Sequence, residues 1–217
     1  MTGWEIAIDL VRRLAALEGE EPGDDPADWY LAKHGDDVDY SGLLESLAPA
    51  PGDRQALLDT YFETSETDAE EGLKQPTKAH RAIASLIRSG YVKVVITTNF
   101  DRLMERALQE IGIDPLVVSS GRDAKASPPL HAVRSVVVKV HGDRASPDLR
   151  NTLAELAVYD DDLREYVGRL LDEHGLVVCG WSGDWDPALR ELVNEHESSL
   201  FATFWAHRGN PSSGSAA

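Results

Sequence analysis

Cysteine and basic residues are scarce in this chain of 217 residues, and each shortage excludes a class of function. A single cysteine, Cys179, excludes both an intramolecular disulfide and a cysteine-based zinc site. Its apolar context, Leu-Val-Val-Cys, predicts a small, buried hydrophobic residue. The 38 acidic residues outnumber the 21 lysines and arginines, giving a formal charge of −17. We therefore expect no nucleic-acid partner and no anionic membrane partner, because this surface would repel both.

Long apolar runs are also absent from the sequence. No stretch approaches the roughly 18 residues that a membrane-spanning helix needs. The first residues lack the basic-then-apolar order of a signal peptide, so a cytoplasmic location is expected by default. Hydrophobic residues nevertheless make up 42% of the chain, enough for the core of an ordinary globular domain.

The first half of the chain has only helical periodicity. Apolar residues recur at helical spacing from Ile6 to Leu17, and the pattern stops at Gly19. Residues 20–28 are acidic, contain two prolines and predict a loop. Shorter helical patterns follow, and the polar residues 63–72 predict an exposed loop.

The second half alternates between strand and helix patterns. Short apolar runs predict buried strands at residues 92–98, 116–119, 136–140, 176–179 and 201–205. Helical patterns lie between them, at residues 76–90, 103–111, 152–174 and from Pro187 onward. The alternation predicts an α/β fold, a Rossmann-like parallel sheet flanked by helices, with a helical insertion in the first half.

The predicted organisation is a single domain over residues 1–208. Its helical part covers about residues 1–75, and its sheet-containing part covers about residues 76–208. The small, polar residues 209–217 predict a disordered tail.

Three predicted strands end in unusual polar turns. Turn A has the sequence Thr-Thr-Asn-Phe-Asp at residues 97–101. Turn B is Lys-Val-His-Gly-Asp at residues 139–143, and turn C is Cys-Gly-Trp-Ser-Gly-Asp-Trp-Asp at residues 179–186. Because ligands of open parallel sheets bind beyond the carboxyl ends of the strands, these turns are the candidate functional site.

Each candidate side chain in the turns has a structural interpretation beside the functional one. Asn99 is either a helix N-cap or a carboxamide that holds a water molecule or a ribose hydroxyl. His141 is either an ordinary turn residue or a proton acceptor near neutral pH. Gly180 is either one more loop glycine or the point where backbone N–H groups approach a phosphate or ribose.

The three turns in this order resemble the sirtuin superfamily, in particular the prokaryotic sirtuin-like domains of NAD-consuming defence proteins. The sirtuin pattern Thr-Gln-Asn-hydrophobic-Asp matches turn A, with Thr98 in place of glutamine. The catalytic His-Gly pair of the family matches His141 and its neighbour. The Gly-Thr-Ser turn that contacts the cofactor matches turn C.

Two departures from the sirtuin pattern qualify the resemblance. Sirtuin deacylases carry a zinc ribbon with four cysteines, which one cysteine cannot supply, so a zinc-less, non-deacylase relative is implied. The family also begins with a strand and a Gly-Ala-Gly-x-Ser loop that cradles the NAD pyrophosphate. Met1 stands where that segment should end, so we expect the loop to be missing, through a misplaced start, a fragment or degeneration.

The resemblance implies an NAD glycohydrolase that releases nicotinamide and ADP-ribose, with a role in antiphage defence. NAD would be the substrate, and no metal would be needed. Asn99 and His141 would be the catalytic residues. The expected cofactor-binding residues are Thr98, Asp101, Gly180 and Ser182, where Asp101 would orient the loop or contact the nicotinamide amide.

Two other functions stay open at this stage. The first is a non-catalytic domain that binds NAD or ADP-ribose, or another protein, and has lost turnover with the phosphate loop. The second is a structural α/β scaffold with incidental motifs. In the favoured interpretation the partner is a small-molecule nucleotide, and the sequence leaves a homo-oligomer open.

Overall fold

The structure of the protein is a computed structural model that describes residues 3–62, 74–143, 159–181, 183, 186–196 and 200–206. Several predicted features lie outside these residues. They are the loop at residues 63–72, the tail at residues 209–217, the start of the helical segment at residues 152–158, and Ser182.

Helices dominate the first half of the chain, and strands alternate with helices in the second. The helices of the first half are α1 (Gly3–Leu17), α2 (Pro26–His34), α3 (Tyr40–Leu47) and α4 (Pro51–Phe62). Those of the second half are α5 (Lys78–Arg88), α6 (Leu103–Gln109), α7 (Gly121–Ala126), α8 (Asp161–Glu173) and α9 (Pro187–Glu195). The strands are β1 (Val94–Thr97), β2 (Leu116–Val118), β3 (Val136–Lys139), β4 (Leu176–Cys179) and β5 (Thr203–Ala206).

All strand pairs are parallel, in one sheet of order β1-β3-β2 and a second pair β4-β5. Strand β3 is buried on both faces, because its side chains alternate between two layers of helices. Val136 and Val138 pack in a cluster with α8 and α9, whereas Val137 packs with α5 and α6. The predicted α/β architecture of parallel strands flanked by helices is confirmed.

The helices of the first half form a core of their own. Leu10, Leu44 and Leu58 are fully buried there and bring α1, α3 and α4 together. Phe100, which follows β1, packs against this same helical core. The helical half of the chain therefore contacts the turn that carries the first candidate motif.

Helix α2 was missed by the sequence interpretation, which assigned an acidic loop to residues 20–28. Pro26 stands in the first helical turn, where its missing N–H costs nothing. Asp25 caps the helix by accepting hydrogen bonds from the N–H groups of Ala27 and Asp28. The acidic residues and the proline thus begin a helix, although in the sequence they have the composition of a loop.

The prediction that Cys179 is buried was wrong, because Cys179 is exposed. Strands β4 and β5 pair with Val177 opposite Phe204 and with Cys179 opposite Ala206. Val177 and Phe204 are also about two-thirds exposed, so none of the described residues covers this face of the pair. A short apolar run cannot distinguish a strand covered on both faces from one covered on a single face.

The remaining strand positions follow the prediction closely, with one displacement. Strand β5 begins at Thr203, two residues later than expected, and leaves Phe201 in the preceding loop. Among the described residues, no helix is long and apolar enough to cross a membrane.

Candidate functional site

Turns A and B lie side by side at the carboxyl edge of the three-stranded sheet. Strands β1 and β3 are neighbours, and Thr97 is in register with Lys139. Asn99 and His141 each stand two residues beyond this pair, so the topology places both predicted catalytic residues at one edge. The backbone N–H of Val140 also donates to the carbonyl of Thr97, at 3.1 Å.

The capping interpretation of Asn99 is excluded by the position of the next helix. Helix α6 begins only at Leu103, whose N–H donates to Oδ1 of Asp101 at 2.8 Å. Asn99 is exposed, and its own N–H donates to Oγ1 of Thr97 at 3.1 Å. Asp101 therefore makes a side-chain contact at the start of α6, whereas Asn99 is exposed. Thr98 is half-buried.

His141 is held by a carboxylate that comes from turn C. Nε2 of His141 lies 2.6 Å from Oδ2 of Asp186, and the two side chains are 14% and 3% exposed. Asp186 also accepts hydrogen bonds from the hydroxyl of Tyr159 at 2.9 Å and from the N–H of Leu189 at 2.9 Å. A carboxylate can only accept here, so the proton of the neutral imidazole is placed on Nε2 and the lone pair on Nδ1.

Two glycines allow turns B and C to bend at the strand ends. Gly142 and Gly180 have φ angles of 93° and 72°, in the left-handed region that favours glycine. Among the described residues, nothing lies within 4 Å of a Cβ built on Gly180, so this glycine is required by its φ angle and not by a close approach. Ser182, the other predicted cofactor contact in turn C, lies outside the described residues.

Turn B begins with a lysine that is fully buried at the end of an apolar strand. The ammonium of Lys139 forms ion pairs with Glu105 of α6 at 2.7 Å and with Asp143 at 3.1 Å. It also donates to the backbone carbonyl oxygens of Phe100, at 3.3 Å, and of Asp101. Turn A is thereby tied to turn B through its backbone.

The end of β2 adds a third polar segment to the same edge. Partial burial raises the pKa of the Asp123 carboxyl, but hydrogen bonds from Ser119 and Ser120 outweigh this and hold the pKa below its ordinary value. The N–H and hydroxyl of Ser119 both donate to Oδ2 of Asp123, at 3.0 and 2.9 Å. This network fixes the start of α7 at the end of β2.

Comparison with known protein families identifies the family of this chain. The family model described as the SIR2-like domain matches residues 93–209, which is more than half of the chain and includes turns A, B and C. The chain belongs to the SIR2-like domain family. No curated protein matches the chain.

The resemblance predicted from the three turns is thus confirmed at the level of the family. The SIR2-like match begins just before β1, so the helices α1 to α5 lie outside it. SIR2-like domains are related to NAD. The part that Asn99, His141 and the four predicted cofactor contacts play in this SIR2-like domain stays a prediction.

Sequence reasoning missed three residues that support this edge of the SIR2-like domain. Asp186 and Lys139 belong to the polar turns, and a lysine that ends a Val-Val-Val strand was a signal that could have been used. Tyr159 gave no signal, since nothing in the sequence links it to a carboxylate 27 residues away.

A cavity of about 440 Å³ lies elsewhere in the SIR2-like domain and has a different character. It opens on one face of α9, and its lining residues are Pro187, Arg190, Glu191, Asn194 and Glu195. None of the predicted site residues that the structure describes lines it. Side chains of a single helix, lying open to solvent, do not form the concave, largely apolar pocket that small ligands prefer.

Proposed function

We propose that this SIR2-like domain hydrolyses NAD to nicotinamide and ADP-ribose at the edge formed by turns A, B and C. The observation that supports the proposal most strongly is the setting of His141. Its Nε2 faces the buried carboxylate of Asp186, so Nδ1 carries the lone pair that a general base needs. The exposed carboxamide of Asn99 follows the neighbouring strand.

The proposed reaction breaks one bond and forms another at the same carbon. The bond between the nicotinamide nitrogen and C1′ of the ribose breaks, and nicotinamide leaves with the bonding electrons. The oxygen of a water molecule binds C1′, and the water proton passes to Nδ1 of His141 and then to solvent. The ribose acquires oxocarbenium-ion character on the way, as in other glycosidic cleavages.

Asn99 and the backbone of the turns would do the positioning. A carboxamide both donates and accepts, so Asn99 can hold the attacking water against a ribose hydroxyl. Nicotinamide is already a good leaving group, and most of the rate gain then comes from orienting the water and shielding the site. Gly180, which none of the described residues crowds, offers its backbone to the ribose or phosphate side of the nucleotide.

The proposal includes a role in antiphage defence, in which the chain consumes cellular NAD. This part is supported by the resemblance to NAD-consuming defence proteins alone. The NAD level of infected cells that carry the wild-type chain, compared with cells that carry the Asn99→Ala chain, tests it directly. Equal NAD levels in the two infections would contradict it.

Asn99→Ala is expected to lower NAD turnover by about 10²-fold, because the water loses its positioning group. The measurement is the release of nicotinamide and ADP-ribose from NAD, which is quantified by chromatography. Asn194→Ala removes an exposed carboxamide on α9 and is expected to match the wild type. Turnover by the Asn99→Ala chain at the wild-type rate would overturn the assignment of Asn99.

Nicotinamide release, measured together with ADP-ribose binding by calorimetric titration, separates hydrolysis from binding without turnover. If the wild-type chain binds ADP-ribose and releases no nicotinamide from NAD, the domain is a nucleotide-binding module. If the chain neither binds ADP-ribose nor hydrolyses NAD, the three turns have only a structural role.

A further inference from the structure

We propose that Lys139 is a positioning residue that fixes turn A, and with it Asn99, relative to His141. The proposal rests on the proposed function, because it concerns the same edge of the sheet. In the proposed reaction, Lys139 makes no contact with the reacting atoms. It acts through the backbone of the turn that carries Asn99.

The contacts of the buried ammonium divide into two groups. One group is two carboxylates, Glu105 at 2.7 Å and Asp143 at 3.1 Å, and both side chains are less than 10% exposed. The other group is two carbonyl oxygens of turn A, those of Phe100 and Asp101. Arg102 completes the charge balance, since its Nε lies 3.1 Å from Oδ1 of Asp143.

A buried ammonium is a poor choice if only the stability of the core is needed. Removing an ammonium from water is costly, and well-packed hydrophobic residues often replace a buried ion pair without loss of stability. Lys139 follows three fully buried valines, where another aliphatic side chain would continue the pattern. What an aliphatic side chain cannot do is donate hydrogen bonds to the carbonyl groups of turn A.

Turn A has two contacts besides those with Lys139, so the contact with Lys139 is enough to fix its position. The ring of Phe100 packs against the helical core of the first half, and Asp101 accepts a hydrogen bond from the first residue of α6. Lys139 supplies the contact to β3, the strand that also carries His141 two residues later. The contact of Lys139 with turn A therefore links Asn99 to the strand that carries His141, and in this way fixes the distance between the two candidate catalytic residues.

The pairing with Glu105 supports a role beyond charge neutralisation. Although its Oε1 lies 2.7 Å from the ammonium, neither carboxylate oxygen of Glu105 has a well-directed hydrogen bond among the described residues. The ammonium directs its hydrogen bonds to Asp143 and to the carbonyl groups of turn A. Glu105 therefore balances the charge of the ammonium, whereas the hydrogen bonds of the ammonium are donated to turns A and B.

The test is amide hydrogen exchange of the full chain without nucleotide, combined with NAD turnover of the same variants. Lys139→Met removes the charge at nearly constant length. Because this leaves buried carboxylates unpaired, the double variant Lys139→Met with Glu105→Gln is made as well. Lys139→Arg keeps the charge, and Lys125→Met is the matched control at an exposed lysine paired with Asp162.

We expect the double variant to remain cooperatively folded and to exchange amides at residues 98–103 about tenfold faster or more. This is the factor expected for the loss of one hydrogen bond to a charged group. Amides of β3 and α8 should exchange at the wild-type rate, and Lys139→Arg should restore part of the protection. In turnover, kcat should fall more than KM rises, because the water and not the nucleotide is displaced.

Three outcomes would overturn the proposal. The first is exchange at the wild-type rate at residues 98–103 in the folded double variant. The second is exchange that is faster by the same factor throughout the chain. The third is loss of cooperative folding in all the Lys139 variants, which would show that Lys139 only stabilises the core. Exchange needs no nucleotide, so the result is independent of the proposed function. If amide exchange in turn A is faster but the chain neither binds nor hydrolyses NAD, the proposed role of Lys139 stands. The proposed NAD hydrolase function is then contradicted.

Discussion

Replacement of His141 by alanine is expected to lower NAD hydrolysis by about 10² to 10⁴-fold, the usual contribution of a general base. The loss should appear in kcat, because His141 accepts a proton only as the water attacks. Binding of ADP-ribose should change little, since the imidazole is held by Asp186 at 2.6 Å and is only 14% exposed. Steady-state nicotinamide release and calorimetric titration with ADP-ribose measure the two quantities.

The matched control for this prediction is His131→Ala. His131 is exposed in the 3₁₀ turn Leu130–Ala132, which precedes β3, whereas turns A, B and C follow their strands, and its loss should leave the rate unchanged. If the His141→Ala chain hydrolyses NAD within about twofold of the wild type, well short of a general base's contribution, His141 is not the base. Deprotonation of the water would then need another group.

The second large effect is expected from Asp186→Asn, which should lower turnover on the order of 10²-fold or more. Asparagine keeps the size and one acceptor oxygen of Asp186, but its NH₂ group would face Nε2 as a donor. The ring proton would then move to Nδ1, the nitrogen that must accept from water. The same replacement in the Ser-His-Asp triad costs about 10⁴ in rate for this reason.

Stability distinguishes this positioning effect from a folding defect. Asp186 caps α9 through the N–H of Leu189 and also accepts from the buried hydroxyl of Tyr159. Asp186→Ala loses both contacts and should lower the free energy of unfolding by about 2–4 kcal/mol, from one cap and one unsatisfied hydroxyl. Asp186→Asn should lose much less, and denaturant titration of both variants measures the difference.

An Asp186→Asn chain with full turnover would show that the tautomer of His141 is unimportant. An Asp186→Asn chain as unstable as Asp186→Ala would make the lost activity a consequence of folding. Only stable folding with low turnover agrees with a positioning role for Asp186.

Local features of the sequence were sufficient to predict most of the sheet-containing half. Helix α5 ends before Gly90 and helix α6 ends before Gly112, and both glycines have the positive φ angle that a helix stop requires. The β-branched run of residues 92–98 contains β1 at Val94–Thr97. These signals are local, because a strand pattern and a glycine stop act within a few residues.

Features that depend on what covers an element could not be predicted from its own residues. Cys179 and the valine two residues before it lie in a run as apolar as β3, yet both are exposed because the facing layer is absent among the described residues. Composition concealed α2 in the same way, since an aspartate and a proline serve equally well in a loop and at a helix start.

The candidate site was predictable as three turns but not as a network. The ends of parallel strands meet at one edge, and turns A and B lie side by side there because β1 and β3 are neighbours. The bond from His141 to Asp186 joins residues that are 45 positions apart, and that from Lys139 to Phe100 spans 39 positions. Contacts of this kind depend on how the turns bend, which short patterns do not specify.

NAD binding at turns A, B and C is tested most directly by titrating the ¹⁵N-labelled chain with NAD and recording its amide chemical shifts. We expect the shifts to concentrate at Thr98, Asn99, Asp101, His141 and Gly180, and we expect Asn99→Ala to weaken them. NAD binding at these turns is contradicted if NAD at millimolar concentration shifts none of these amides, or if the shifts concentrate on another face of the protein such as α9.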